Sequence, residues 1–499
     1  MILLAVLVLP ALGALAAAAV PSRFDRAGRI LGTAAAALAF VASALLWFLR
    51  SAPVPFDLNP PTPVILPWHE VDVSWVPALD LRFHIGVDGI SYPLVVLTTL
   101  LTLLCCVFTV WRVPPPGRGR LLVALLLVIE VGIAGVFLAL DLVLFFVFFE
   151  VVLLPMYAVI AVWGGPDRRH AARKFVLYTL FGSVLLLVGV FTVVASAHTA
   201  DLVALTGRPT LPRGTQLVAF VLLAVAFAVK SPLWPLHTWL PDAHTEAPTV
   251  GSVILAGVLL KMGTYGLLRV GVGVAPDGAR RAAPVLAILA VAAILIGGLV
   301  CLAQTELKRL IAYSSVGHMG FVLLGIATLT PIGIQAALIG NIAHGVITGL
   351  LFFLAGAIKD RAHTGELAEL GGLREVAPGL SGLLGYAAIA SLGLPGLAGF
   401  WGEAFAVFGA LRRGGPLWTS LGVLAALGAA LAAAYFLRLL RRVTHGPAVG
   451  VLEAPRLAGA ELVSWAPLVV LALVLGLVPA LVLAASVDTV KALVQAVAA

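Results

Sequence analysis

Seven ionisable side chains stand where a lipid-embedded helix ordinarily carries none: Glu130, Glu150, Lys230, Lys261, His318, His344 and Glu403. Each lies within an apolar run; Glu150 is set in FFVFFEVVLLPM and Lys261 in LAGVLLKMGTYG. A charge inside a bilayer costs about 3 kcal/mol on insertion scales, so such groups face protein interior or a wet path. One acid or lysine of this kind is explained by a structural ion pair, and one histidine by a packing hydrogen bond. Acids and lysines can also neutralise each other, but the two histidines then remain. A row of titratable groups over separate helices is what a proton relay requires.

The choice of cation points the same way. The chain has 25 arginines and 6 lysines, yet the cations set within the apolar spans read as lysine, Lys230 and Lys261. Arginine keeps its proton, whereas a desolvated lysine can alternate between charged and neutral. Lys230 also opens KSPLWPLHTWLPDAHTEAPT, where Pro232 and Pro235 follow at once. Proline lacks an N–H and frees carbonyls a turn earlier, and open backbone at membrane depth needs protein or water to satisfy it. Water beside Lys230 would serve as solvation and as proton path, with Ser231 and His237 along it. The plainer role for such a serine is a bond to the carbonyl one turn back.

The elements that carry these residues follow from composition. Of 499 residues 62% are hydrophobic and 11% charged, with a mean hydropathy of +1.12, which defines an integral membrane protein. Apolar runs have the ~20-residue length of helical spans, and the ~10-residue alternating segments of a membrane barrel are absent. The reading is an all-α polytopic protein with about fourteen transmembrane helices: 2–20, 29–49, 90–111, 119–139, 141–163, 174–196, 216–236, 248–270, 282–302, 309–328, 332–358, 379–410, 417–440 and 464–485. The first lacks the charged start of a signal peptide and is kept as a span.

Arg23, Arg26, Arg29, Arg112, Arg118, Arg120, Arg168, Arg169, Arg173, Lys174, Lys308 and Arg309 all fall on loops of one side. The positive-inside rule makes that side cytoplasmic and puts both termini outside. The net charge of +8 is thus mostly a topology signal, and no soluble basic face exists for nucleic acid. Cys105, Cys106 and Cys301 sit within spans without C-x-x-C or Cys/His clustering, so no metal or redox centre is expected in this chain.

Four regions are expected. Residues 1–118 hold helices 1–3 with an ordered external loop at about 50–89. Residues 119–270 and 282–442 form a first repeat and a second, inverted one (helices 4–8 and 9–13). Residues 443–499 hold a loop and helix 14. The repeat rests on two interrupted spans five apart, the seventh at Pro232 and Pro235 and the twelfth at GLPGLAG, 393–399.

The stretches FHIGVDGISYPLVVLT (83–98), DLVLFFVFFEVVLLPMY (141–157), RRHAARKFVLYTLFGS (168–183), KSPLWPLHTWLPDAHTEAPTVGSVILAGVLLKMGTYGLLR (230–269), TELKRLIAYSSVGHMGFV (305–322), NIAHGVITGLLFFLAGAIKDR (341–361) and GLPGLAGFWGE (393–403) resemble the antiporter-like membrane subunits of respiratory complex I. Glu403, where sister branches carry lysine, favours the M-type branch. The resemblance implies a proton-pumping subunit in a bacterial inner membrane, beside L-type and N-type chains, with NADH, flavin, iron–sulfur clusters and quinone in other subunits. It implies a tuning pair in Glu150 and Lys230, a central lysine in Lys261, linking histidines in His318 and His344, and an outward donor in Glu403. Glu130 and His237 rank behind these. Other readings are a sister subunit of a membrane-bound hydrogenase or multisubunit cation/proton antiporter, and a stand-alone secondary transporter.

Overall fold

The computed structural model describes residues 2–49, 64–77, 81–207, 211–447 and 456–498. Among these, fourteen helices are long and apolar enough to cross a membrane. After α1 (Ile2–Ala19) and α2 (Asp25–Phe48), the loop expected at 50–89 carries an antiparallel hairpin, β1 (His69–Val76) paired with β2 (Leu81–Val87). Residues 50–63 and 78–80 of that loop lie outside the described residues. The all-α class holds, with this two-stranded hairpin as a local exception in the loop. HEVDVSWV alternates polar and apolar side chains with the period of a strand, a weak signal between long apolar helices.

The hairpin is fastened by buried charge. His84 on β2 is 3% exposed, with Nε2 2.6 Å from Glu70 Oε1 and Nδ1 3.5 Å from Asp201 Oδ1. Burial opposes its charge, but Asp201 and Glu70 outweigh it and raise the imidazole above its ordinary 6.5. Burial likewise opposes charge on Asp201, but His84, the Val203 N–H and Arg82 together outweigh it and hold the carboxyl below its ordinary 3.8. Asp72, paired with Arg82, and Asp141, which burial pushes up, complete the group. A raised histidine stabilises fully below 6.5 and loses that contribution as pH rises through its folded value. A lowered aspartate contributes above 3.8 and loses it as pH falls through its folded value. The hairpin is therefore held tightest between those limits. Amide exchange over 69–87, corrected for intrinsic rate, should be faster at about pH 9 than at about pH 6. His84→Gln should remove that difference; a pH response that survives the substitution would place the latch elsewhere.

The first half continues with α3 (Tyr92–Trp111), α4 (Gly119–Leu138), α5 (Leu142–Val151), α6 (Leu153–Trp163) and α7 (Arg168–Ala197). α5 and α6 make one span with a turn at Val152, because Pro155 cannot bond the Val151 carbonyl. A short α8 (Leu202–Leu205) precedes α9 (Arg213–Lys230) and α10 (Trp239–Glu246), which are the two parts of the broken seventh helix. The eighth span, Thr249–Val272, contains α11 (Thr249–Ile254) and α12 (Leu260–Gly266), interleaved with π-helical turns at Leu255–Leu259 and Leu267–Val272.

The second half has α13 (Pro276–Ala303), α14 (Leu307–Ala327), α15 (Pro331–Ala362), a short α16 (Leu373–Val376), α17 (Pro378–Ser391), α18 (Gly399–Arg413) and α19 (Gly415–Thr444). α17 and α18 are the separated halves of the twelfth span. The eighth span and α15 are almost wholly buried, whereas α7 and α19 present Leu177, Phe181 and Leu427 outward. Lys261 and His344, on those two elements, are thus shielded from lipid by other helices; Glu130, Lys230 and Glu403 are also buried, whereas Glu150 and His318 are partly exposed.

One pairing recurs on both faces. Asp141, which caps α5, bridges to Asp201 in the segment after α7. Glu306, which caps α14, bridges to Glu366 in the segment after α15. Each bridge joins the start of one span to the end of the next, and counting crossings puts the two on opposite sides.

The C-terminal part needs a correction. α20 (Gly459–Leu477) ends before Pro479, and α21 (Ala480–Ala498) follows, so 464–485 is not one span. α21 is long enough to cross, but its contacts lie on one face. Ala485 meets Gly89, Ser486 donates to Gln335 Oε1 (3.2 Å) and Ala496 meets Gly207. These partners precede α3, begin α15 and precede α9, all on the hairpin side. Val482, Ser486, Val490, Leu493 and Val497 are buried at helical spacing, while Asp488, Lys491 and Gln495 face outward. α21 is an amphipathic strap across that face.

Candidate proton-relay site

Lys261 sits at the centre, fully buried, between the two π-helical turns. A π turn widens the helix locally and releases backbone carbonyls, and Lys261 Nζ donates to the Ala256 carbonyl at 2.6 Å. The same Nζ is 2.6 Å from His344 Nδ1 on α15. The two helices come this close through glycine: a Cβ on Gly345 would stand 2.6 Å from the Gly257 carbonyl oxygen.

His344 Nε2 has no partner among the described residues, and His344 lines a cavity of 30 Å³ with His318, Thr348, Ser391 and Glu403. That volume holds about two waters. His318 lies across it, its ring centroid 5.8 Å from that of His344. His318 Nδ1 is 2.9 Å from Glu403 Oε1, Nε2 is 3.1 Å from Ser391 Oγ, and the ring stacks on Phe436. Glu403, on the second turn of α18, approaches the break itself. Gly393 holds φ +81°, and a Cβ there would be 2.9 Å from Glu403 Oε2.

Lys230 ends α9 at 2% exposure, with Nζ 4.8 Å from the Phe149 ring centroid and 6.0 Å from that of Phe175. No ion pair joins it to Glu150. Glu150 acts on it through space, and its own Oε1 has no partner among the described residues. The expected pair is therefore an aromatic cradle with an acid nearby. Ser231 takes the plainer role, donating to the Phe227 carbonyl at 2.6 Å. His237 lies in the break against Tyr313, ring centroids 6.1 Å apart, with Nδ1 unpartnered. Glu130 is fully buried, beside Cys106, and both its oxygens lack partners among the described residues.

The contrast between lysine and arginine needs correcting. Arg269 also lies within a span, 4% exposed, and it pairs with Asp88 at 2.5 Å. Arg361 near the end of α15 is paired with Glu461. Neither Lys230 nor Lys261 has a carboxylate in ion-pair contact among the described residues. Arginine serves where a charge stays and lysine where no acid fixes it.

Sequence reasoning missed His244. It is fully buried on α10, both ring nitrogens lack partners among the described residues, and it stacks on Phe352 with centroids 4.5 Å apart. It lies within electrostatic reach of Lys261 and of Lys308. Lys308, counted as a loop cation, is 6% exposed and donates to the Ala247 carbonyl at 3.0 Å. Beside it a cavity of 450 Å³ is lined by Arg112, Glu246, Thr249, Lys308, Lys359 and Asp360. The available signal was HTWLPDAH, which sets His237 and His244 seven apart in the broken segment.

The fold and the site define a class: polytopic helical membrane proteins that bury a row of proton-exchangeable side chains beside two broken helices. The family described as NADH:quinone oxidoreductase/Mrp antiporter, TM, matches residues 139–428. Chain 4 of the NAD(P)H-quinone oxidoreductase of Trichormus variabilis is 44% identical over 377 residues, 74% of this chain and 70% of that one. Subunit M of the NADH-quinone oxidoreductase of Rhodobacter capsulatus is 42% identical over 419 residues, 81% of this chain and 80% of that one. A chain of respiratory complex I from Thermus thermophilus superposes with a TM-score of 0.87 at 31% identity, covering 100% of this chain and 99% of that one. A chain of the Mrp complex from Dietzia sp. shares the fold at 22% identity and a TM-score of 0.84, over 99% of each chain. The chain belongs to the NADH:quinone oxidoreductase/Mrp antiporter membrane family.

Proposed function

We propose that this chain is the M-type proton-translocating membrane subunit of a bacterial NADH–quinone oxidoreductase. The observation that carries this reading is the buried sequence of contacts from Lys261 through His344, the small cavity and His318 to Glu403. NADH, flavin, iron–sulfur clusters and quinone belong to other subunits, and this chain turns the released energy into proton movement. L-type and N-type antiporter-like chains are its neighbours in the membrane.

In this mechanism a neighbouring subunit changes the charge or position of Glu150. While Glu150 is charged and near, it favours the ammonium form of Lys230; when that attraction weakens, burial favours release. Lys230 passes its proton inward to Lys261, and His344 and His318 conduct it to Glu403. Reloading of Lys261 runs from the 450 Å³ cavity past Lys308 and His244. The two bridges at Asp141–Asp201 and Glu306–Glu366, on opposite faces, support dividing 119–270 and 282–442 into inverted repeats. The arginine-rich face is cytoplasmic, and the hairpin and α21 lie outside.

Lys230→Arg tests the exchange. Arginine retains a cation over Phe149 but cannot release its proton. In inverted vesicles the variant should assemble yet move protons at least about 100-fold more slowly. Normal pumping by Lys230→Arg would sink the mechanism.

A further inference from the structure

We propose that Ser391 is a proton-conducting positioning residue, which joins the cavity to His318 Nε2 and sets the tautomer that delivers protons to Glu403. The inference rests on the relay reading above and adds a residue to it.

Serines in the other long helices mostly bond backward: Ser231, Ser315 and Ser464 each donate to the carbonyl four residues earlier, and Ser314 to the one three earlier. Ser391, at the last turn of α17, instead turns its hydroxyl to His318 Nε2 at 3.1 Å, although it is only 4% exposed. It also lines the 30 Å³ cavity together with His344, whose Nε2 has no hydrogen-bond partner among the described residues. One residue thus lines the water-sized space and bonds the ring through its hydroxyl.

The donor arithmetic of imidazole explains the use of a hydroxyl. With Glu403 ionised, Oε1 accepts from His318 Nδ1–H, so the neutral ring has a lone pair on Nε2. Ser391 Oγ–H fills it. A proton arriving through cavity water joins Ser391 Oγ as the hydroxyl hydrogen passes to His318 Nε2, and the ring becomes an imidazolium. Its Nδ1–H then moves to Glu403, leaving a neutral carboxylic acid and a ring protonated on Nε2. That ring now donates to Ser391 Oγ, so the same hydroxyl serves both forms. The first tautomer returns when the ring, turned from Glu403, takes one proton from cavity water at Nδ1 and gives one back to it from Nε2, an exchange with no net proton. No charge or atom is left over: one proton has crossed from the cavity to Glu403.

The discriminating pair is Ser391→Thr against Ser391→Val, side chains of equal shape that differ by the hydroxyl. In vesicles carrying the whole assembly, at matched amounts of assembled protein, Ser391→Thr should retain at least half of the NADH-driven proton uptake. Ser391→Val should retain about a tenth or less, with a larger solvent isotope effect. Equal rates in the two would reduce Ser391 to a packing residue and overturn the proposal. Where Ser391→Val fails to assemble, Ser391→Ala replaces it, read against Ser391→Thr in the same way. Glu403→Gln serves as the reference. If it pumps normally the relay reading itself fails; if it is blocked while threonine and valine are equal, only the role of Ser391 falls.

Discussion

Lys261→Met should stop coupled proton movement, by about 100-fold or more, while leaving the assembled protein at least as stable as before. The two halves of this expectation have separate causes. Lys261 is fully buried, and Nζ touches only the Ala256 carbonyl and His344 Nδ1 among the described residues. Bringing that ammonium out of water opposes folding, and no carboxylate offsets the cost. An unbranched methionine of similar length fills the same space without it. Transport loses the one group that can hand a proton to His344. A variant that kept its transport would remove Lys261 from the path, and one that failed to assemble would make the lysine structural. Coupled turnover, proton uptake and the thermal midpoint of the purified assembly together read out both halves.

Arg269→Leu should act in the opposite sense, destabilising strongly without touching the relay. Arg269 Nη2 pairs with Asp88 Oδ2 at 2.5 Å, and its Nε donates to Tyr265 Oη, which donates to the Phe137 carbonyl. Asp88 is 2% exposed and its Oδ1 caps the N–H groups of Ile90 and Ser91 at the start of α3. Removing the guanidinium leaves a buried carboxylate unpaired, at a cost of about 3–5 kcal/mol. Asp88→Asn in the same chain keeps the capping oxygen and removes the charge, so the double variant should recover much of the loss. Assembly yield and thermal midpoint measure this. Equal destabilisation of the single and double variants would mean that packing, not the uncompensated charge, carries the effect.

These two residues show what residue type can and cannot reveal. Lys261 and Arg269 lie two turns apart in one helix, and only the fold distinguishes a mobile proton carrier from a fixed tie. The arginine's partner comes from a loop 181 positions earlier in the chain. The α21 strap illustrates a second kind of loss. VDTVKALVQAV has an amphipathic period, but it follows an apolar run so closely that span length masked the break at Pro479. His244 was overlooked because it stands beside charged residues, where a histidine looks solvated; packing of α10 against α15 buried it.

By itself the sequence determined the membrane class, the spans before the last, the two broken helices and six of the residues that the relay reading uses. The reason is that lipid penalises charge and open backbone so heavily that each exception stands out in the apolar background. Only the tertiary structure decided which exceptions meet. It set Lys261 against His344 and His318 against Glu403, left Glu130 aside, placed Lys230 over aromatic rings with Glu150 acting through space, and brought Ser391 and His244 into view. Those outcomes depend on close approach between helices distant in sequence, governed by small residues such as Gly345 and by local π turns. Depth in the membrane is encoded residue by residue, whereas contact within it is a property of the packed bundle.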